Sequence, residues 1–305
     1  MACRIAVLIT ICSLAFASSA SALNMSLGNV TVVDLTAWGY INDGGDTEVL
    51  SWDGGTTDEM FEWFGYLGND DGMVRVDSEN FDLVGTFDDL DGDGVATANL
   101  TLNATGASSL GLDLGEILIT HTFTLIDDPA TSDDEGIAFG VKITNNSGSA
   151  LSFSYYQYLD IDADGDFDDD GASGDVNGIT VEDNDGARTH WLADGGADFY
   201  EVNKYKKVRD KLDGWNNSKN LGNKGLPFGP NKDFTGAMQI DVADLQDQSF
   251  SFVRWRVIKG PEPGTGLLLG FGLWILGLAG RRRRLTPCVP GLSGGKHISE
   301  FLLRR

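Results

Sequence analysis

The chain has 305 residues, of which 46 are acidic and 22 are Lys or Arg, so its formal net charge is −24. This imbalance argues against nucleic acid as a partner, because phosphate binding needs a positive surface. The cysteines Cys3, Cys12 and Cys288 lie near the two ends. A domain spanning 23–260 therefore has neither disulfides nor thiolate metal sites.

Residues 1–22 have the three parts of a secretory signal peptide. Arg4 supplies a short positive region, residues 5–16 are apolar, and Ala20-Ser21-Ala22 forms a small-residue cleavage site. The apolar stretch is too short to span a bilayer. We therefore expect export, removal of residues 1–22, and a mature chain that starts near Leu23.

The expected extracytoplasmic domain, residues 23–260, is strongly acidic. It contains 44 of the 46 acidic residues but only 14 of the 22 basic ones, a net charge of about −30. Such self-repulsion costs stability unless cations neutralise part of it. The acidity is explained either by specific use of cations or by the solubility that an extracellular protein needs.

Short apolar segments alternate with clusters of Gly, Asp, Asn and Ser from residue 24 to residue 160, a spacing typical of β-sandwiches. Alternate residues are apolar in the strand predicted over Val95–Leu102 and in the strand predicted over 116–126, where His121 falls on the apolar face. Helical periodicity is scarce, and no repeat of solenoid length is present. The sequence therefore predicts an all-β fold, a β-sandwich of jelly-roll-like or Greek-key type.

Two later segments, 137–144 and 151–159, predict a pair of strands. The segment 145–149 between them consists of Asn, Ser and Gly, which is typical of a hairpin connection. Alternating apolar residues over 250–257 predict a final strand. The segment 57–66 fits a short helix or a strand equally well.

Residues 204–232 are rich in Lys, Asn and Gly, and this composition predicts a long loop. The positive island in this segment consists of Lys204, Lys206, Lys207, Arg209 and Lys211. We interpret the island as a solvated face. The alternatives are docking to an acidic polysaccharide and docking to the protein's own acidic loops. Trp215 is the tryptophan expected to be most exposed.

Two Asp-rich segments have the spacing of calcium loops, in which alternate carboxylates and a glycine curl around one hard cation. The stronger candidate offers Asp160, Asp162, Asp164, Asp166 and Asp168. The second offers Asp89, Asp91 and Asp93. Position 12 is Gly171 in the first and Leu100 in the second, where an EF-hand has a bidentate Glu. Calcium is therefore the expected cofactor, and solvated acidic turns are the alternative.

Catalytic residues are not indicated. The histidines, His121, His190 and His297, have no metal-ligand spacing. His121 is expected to be packed in the core, and His190 to lie in a strand or on the surface. Acidic pairs are too abundant to nominate a glycosidase dyad, which needs a defined separation of two carboxylates. The sequence therefore favours a protein that is not an enzyme.

The C-terminal region has three parts in a fixed order. Pro261, Glu262 and Pro263 interrupt the last strand, since proline cannot continue a ladder. Residues 265–280 are uncharged and predict a helix of about 24 Å, which would just span a bilayer if the bilayer thins. Four arginines follow at once and are expected to stay cytoplasmic: Arg281, Arg282, Arg283 and Arg284.

Residues 261–284 resemble the PEP-CTERM sorting signal. A tail of this kind is also named an ice-binding protein C-terminal domain, a name that describes the tail and not an ice-binding activity. The resemblance implies recognition by an exosortase, a membrane transpeptidase that cuts near the Pro-Glu-Pro motif. It also implies a Gram-negative-type bacterium that makes exopolysaccharide. The alternative is an ordinary stop-transfer anchor.

Residues 285–305 depart from this pattern, because such signals end at the basic cluster. We expect a disordered or artefactual tail there. The expected function is a non-catalytic cell-surface or matrix protein, anchored in the inner membrane as a precursor and then displayed or released, in association with exopolysaccharide and biofilm. The alternative is a carbohydrate-binding module or a polysaccharide-acting enzyme.

Overall fold

The computed structural model describes residues 22–28, 30–39, 41–42, 49–51, 62–127, 136–160, 171–182, 188–225, 233–245 and 252–258. All of them belong to the first of two units in the chain, Met1–Gly260, whereas the second unit, Pro261–Arg305, contains none. The predicted sorting motif, its apolar segment, the arginines and the tail therefore lie outside the described residues, as do residues 1–21. Within the described part, no helix has the length and apolar character needed to cross a membrane.

The described residues form strands and two short helices, so the fold is all-β, as the sequence predicts. The first eight strands are β1 (Leu23–Leu27), β2 (Val30–Leu35), β3 (Ile41–Asn42), β4 (Val49–Ser51), β5 (Glu62–Gly68), β6 (Met73–Arg75), β7 (Phe81–Val84) and β8 (Val95–Leu102). The later strands are β9 (Ile117–Ile126), β10 (Gly136–Asn145), β11 (Leu151–Asp160), β12 (Gly171–Gly174), β13 (Gly178–Glu182), β14 (Arg188–Ala193), β15 (Phe199–Lys204), β16 (Phe234–Leu245) and β17 (Phe252–Ile258). The helices are α1 (Ala104–Leu110) and α2 (Lys207–Asp213).

These strands pair antiparallel in sheets of three, eight and six strands. The smallest sheet has the order β1-β2-β4, and the largest has the order β12-β13-β14-β17-β10-β9-β8-β7. The six-stranded sheet has the order β15-β16-β11-β5-β3, with β6 added beside β5. The predicted final strand is present as β17, and it lies between β10 and β14 inside the largest sheet.

The alternation predicted for β8 and β9 is confirmed. In β8 the even positions Ala96, Ala98, Leu100 and Leu102 are buried. In β9 the residues Ile117, Ile119, His121, Phe123 and Leu125 are buried, while the Thr residues between them are half-buried. The two strands thus present one apolar face to the core, as the period of two requires.

One apolar core takes side chains from both large sheets. Trp63 of β5 meets Phe123 of β9 and Phe139 of β10 edge-on, with ring centroids 5.9 and 4.8 Å apart. His121 lies in the same cluster, where its Nδ1 is 3.3 Å from the carbonyl oxygen of Ala37. Burial lowers the pKa of His121 to about 4, so the imidazole is neutral at pH 7. The predicted core role of His121 is confirmed.

The predicted hairpin between β10 and β11 is wrong. β10 pairs with β9 and β17, whereas β11 pairs with β5 and β16 in the other large sheet. The connection is a side-chain-stabilised turn, in which Oδ1 of Asn145 accepts from the amide of Ser147 at 2.9 Å and Nδ2 donates to Ser149 O at 2.6 Å. Because Asn, Ser and Gly favour tight turns of any kind, they do not tell a turn within a sheet from a turn between sheets.

The predicted loop over 204–232 contains the helix α2, so this prediction is wrong over residues 207–213. Its apolar pair Val208 and Leu212, four residues apart, is buried against the six-stranded sheet together with aromatic side chains of β5 and β11. Every residue from Phe153 to Asp160 of β11 is buried. The six-stranded sheet is therefore covered on both faces, one by the core and the other by the segment that holds α2.

Candidate functional site

The acidic loop between β7 and β8, residues 85–94, brings its three predicted ligands together. One carboxylate oxygen each of Asp89, Asp91 and Asp93 lies within 4.8 Å of the other two. Asp89 Oδ2 accepts from the amide of Gly94 at 3.2 Å, and Asp93 Oδ1 accepts from the amide of Val95 at 2.9 Å. Oδ1 of Asp89 is buried and has no hydrogen-bond partner within the described part of the chain. Three oxygens thus face one another at a separation that a cation can bridge.

The same loop cannot close like an EF-hand. Calcium takes six to eight oxygen ligands. Leu100, at position 12 of the loop, is a buried apolar residue of β8 and offers no carboxylate. Further ligands for a cation bound there would have to be backbone carbonyls or water.

The second acidic segment is described only at its first predicted ligand. Asp160 is the last residue of β11, buried in register between Glu62 of β5 and Thr235 of β16. The other four predicted ligands, Asp162, Asp164, Asp166 and Asp168, lie outside the described residues. The structure therefore places only the start of this segment, at an acidic end of the six-stranded sheet.

A polar cleft of about 570 Å³ has neither Asp160 nor any of Asp89, Asp91 and Asp93 among its described lining residues. Its walls come from the turn after β2, from the segment between β6 and β7, and from the C-terminal end of α2. The side chains that line it include Trp38, Arg75, Asp77, Glu79, Asn80 and Asp213. Sequence reasoning missed this cleft. The one local signal was the Asp-x-x-Asn spacing of Asp77 and Asn80, which favours a tight turn.

Arg75 is held rigidly in the cleft wall. Its Nη2 donates to both carboxylate oxygens of Asp213, at 2.8 and 3.0 Å. Its guanidinium carbon lies 4.5 Å from the ring centroid of Phe64 and 5.6 Å from that of Tyr66, on the outer face of β5. Tyr66 completes the arrangement by donating its hydroxyl to Asp213 Oδ1 at 2.9 Å. The planar cation is therefore fixed by an ion pair and by two aromatic rings.

Asp77 organises the turn that forms another part of the lining. Its Oδ1 accepts from the amides of Glu79 at 3.0 Å and Asn80 at 3.2 Å, and from Asn80 Nδ2 at 2.9 Å. Burial raises the pKa of Asp77 against the lowering effect of these bonds. The hydrogen bonds that the described structure gives the Asp77 side chain all use Oδ1. Oδ2 is the oxygen left for a ligand.

The positive island does not behave as one solvated face. Arg209 pairs with Glu62 of β5, and Lys211 pairs with Glu201 of β15; both glutamates are buried. Lys204, Lys206 and Lys207 are exposed. The two cations on α2 therefore dock onto the protein's own acidic strand residues.

Two further expectations have definite outcomes. His190 lies in β14 and is half-buried, as predicted, with Nδ1 at 2.9 Å from Thr180 Oγ1. Trp215 is the most exposed of the tryptophans whose burial is described, as predicted, since Trp38, Trp63 and Trp191 are buried. It is only half-buried, however, and its ring lies 5.7 Å from that of Tyr156. Trp215 thus belongs to the layer that covers the six-stranded sheet.

Comparison with known proteins assigns the chain to no family. No family model and no curated protein matches the chain. Among solved structures, the crystal structure of a bacterial glucoamylase complexed with acarbose is similar at 12% identity and a TM-score of 0.47, over 80% of this chain and 32% of that one. The chain thus spans about a third of the length of that structure. A likeness of this degree bears on neither fold nor activity.

Proposed function

We propose that the chain is an exported, non-catalytic cell-surface or extracellular-matrix protein, sorted by an exosortase and associated with exopolysaccharide. The observation that carries this proposal is the order of Pro261-Glu262-Pro263, an apolar segment and four arginines after an all-β region. The first strand begins at Leu23 and the last ends at Ile258. This span agrees with a domain placed between an N-terminal export signal and a C-terminal sorting signal.

We infer that the all-β region is a β-sandwich in which the eight-stranded and six-stranded sheets pack face to face. The edge-on contacts of Trp63 with Phe123 and Phe139 support this arrangement, because the rings come from different sheets. A Greek-key or jelly-roll-like connectivity agrees with the passage of the chain from β10 to β11 across the two sheets.

Calcium is the cofactor that we propose for this domain. The convergence of Asp89, Asp91 and Asp93 supports a cation at the loop before β8. The Asp160 segment is the second proposed site, on sequence grounds. Bound calcium would offset part of the repulsion in a domain whose net charge is about −30.

A carbohydrate-binding module is the second candidate, and the cleft beside Arg75 is the observation that favours it. The cleft is lined by polar and charged side chains together with one indole ring. Those are the groups with which proteins orient polar small molecules.

The sorting proposal is tested by deleting Glu262 and expressing the protein in an exosortase-bearing host. We expect loss of cleavage near Pro261 and retention of the uncut chain in the inner membrane. Mass spectrometry of the C-terminus and cell fractionation measure both effects. Deletion of Glu300, in the tail beyond the arginines, is the matched control and should leave processing unchanged. If deletion of Glu262 leaves the C-terminus and the location as they are, the sorting proposal is wrong.

A further inference from the structure

We propose that the cleft lined by Trp38, Arg75, Asp77, Glu79, Asn80 and Asp213 binds a neutral saccharide unit. This inference rests on the proposed association with extracellular polysaccharide and assigns it a site. The volume of the cleft, about 570 Å³, falls in the range of small-molecule sites in proteins.

The charge of the cleft selects against anions. Asp213 is neutralised by Arg75, whereas the carboxylates of Asp77 and Glu79 have no ion-pair partner within the described ranges. The lining is therefore net negative, and phosphates, sulfates and uronic acids are repelled. The guanidinium in the wall also opposes a bare metal ion. A neutral ligand rich in hydroxyl groups is repelled neither by the carboxylates nor by the guanidinium.

The polar groups match the chemistry of sugar hydroxyls. Each hydroxyl both donates and accepts, so a pair of neighbouring hydroxyls suits a carboxylate acceptor placed near an N–H donor. Asp77 Oδ2 and the carboxylate of Glu79 supply acceptors, and the planar guanidinium of Arg75 lies in the same lining. Trp38, 7% exposed, adds an apolar edge for sugar C–H groups rather than a stacking platform.

These groups are held in place before a ligand arrives. Arg75 is fixed by Asp213 and two aromatic rings, and Asp77 is fixed by three hydrogen bonds through Oδ1. The indole N–H of Trp38 donates to Phe81 O at 3.2 Å, which sets the ring orientation. Preorganised groups lose little freedom on binding, so more of the interaction energy appears as affinity.

The test measures binding of the purified full-length chain to an array of neutral, amino and uronic-acid glycans, followed by titration calorimetry with the best binder. We expect binding to neutral glycans and none to uronic acids. Asp77→Asn keeps the turn, because Asn also forms it, but replaces the Oδ2 acceptor with a donor. Its Kd should rise at least tenfold. Glu79→Gln should raise the Kd several-fold without affecting the fold, since that side chain is exposed.

Asp194→Asn makes the same charge change at an exposed turn away from the cleft and should leave the Kd unchanged. Absence of binding to any neutral glycan, or unchanged affinity in both cleft variants, would overturn the inference. So would calcium binding that Asp77→Asn abolishes without any sugar binding. A correctly sorted protein that binds no glycan refutes the site alone, whereas glycan binding by a chain indifferent to deletion of Glu262 refutes the sorting alone.

Discussion

Glu62 of β5 is a buried carboxylate whose charge is matched from a neighbouring helix. Its side chain is 3% exposed, pairs with Arg209 of α2, and accepts from the hydroxyl of Tyr158 at 3.2 Å. Burial raises the pKa of Glu62, and Arg209 opposes that rise. Because a buried ion that loses its partner is left uncompensated, this pair fixes α2 on the sheet and with it Asp213 at the cleft.

Replacing Arg209 with Met should therefore destabilise the protein by about 3 kcal/mol at pH 7. The variant leaves Glu62 buried without its cation, so the pKa of Glu62 rises further above its unfolded value. A carboxyl group whose pKa is higher in the folded than in the unfolded state stabilises the fold at pH values below its unfolded pKa. That stabilisation is lost as the pH rises through the folded-state pKa. The deficit should therefore be smaller at pH 5 than at pH 7. Urea unfolding at the two pH values measures it.

The exposed pair of Arg188 and Glu182 is the matched control. Its nitrogen–oxygen distance is 2.5 Å, but the two side chains are 50% and 46% exposed. Arg188→Met should cost less than about 1 kcal/mol. Adding Glu62→Gln to Arg209→Met should recover part of the lost stability. Equal costs for the two arginine variants would contradict the importance given to burial.

The carboxylate cluster formed by neighbouring residues was predictable, whereas the cleft formed by distant residues was not. Asp89, Asp91 and Asp93 converge because their spacing alone brings them into one loop. Arg75 and Asp213 are 138 positions apart, and only the docking of α2 on the six-stranded sheet makes them partners. No local pattern of charge or hydropathy predicts a contact between residues so far apart in the sequence.

The helix α1 depends on glycine for its packing against the turn that lines the cleft. Asn103 caps its N-terminus by accepting from the amides of Thr105 at 2.9 Å and Gly106 at 3.1 Å. A Cβ at Gly106 would lie 2.3 Å from the carbonyl oxygen of Asn80. That oxygen already accepts from the amide of Asn103 at 3.0 Å, so it cannot withdraw without losing a hydrogen bond.

Gly106→Ala should therefore destabilise the protein by about 1–3 kcal/mol, the usual cost of overpacking. Helix propensity alone predicts the opposite sign, a gain of about 1 kcal/mol for Ala over Gly. Chemical denaturation decides between the two effects. The control is Gly140→Ala in β10, where the nearest atom to the new Cβ would be Thr122 Cβ at an ordinary 3.6 Å. A Gly106→Ala protein as stable as the parent would show that α1 can shift away.

At the scale of elements, the sequence predicts strands better than their partners. The alternation in β8 and β9 is decided locally by which face is apolar, and both strands are found where expected. β11, in contrast, pairs with strands from distant parts of the chain, as in the pairing of Ser154 with Asp241, 87 positions away. The helix α2 was missed because it has seven residues and a single apolar pair, so its stability comes from packing.

The whole molecule carries a charge that its folding must overcome. The formal net charge is −24, and the acidic residues concentrate in the all-β region. Like charges held together in a compact domain repel one another and favour the unfolded chain. A ligand that binds only the folded state shifts the balance back by mass action. At the proposed calcium site, the convergent carboxylates of Asp89, Asp91 and Asp93 would give calcium that preference for the folded state.

Calcium should therefore raise the Tm of the purified chain relative to chelator. At a concentration about 100-fold above the Kd, binding at one site adds about 2.7 kcal/mol, or about 5–10 °C in a domain of this size. Asp91→Asn should reduce the shift, whereas Asp82→Asn, an exposed change on neighbouring β7, should leave it intact. Magnesium should act more weakly, because it gives up its water reluctantly. Equal Tm values with calcium and with chelator would refute the calcium proposal, and a shift untouched by Asp91→Asn would move the site to the Asp160 segment.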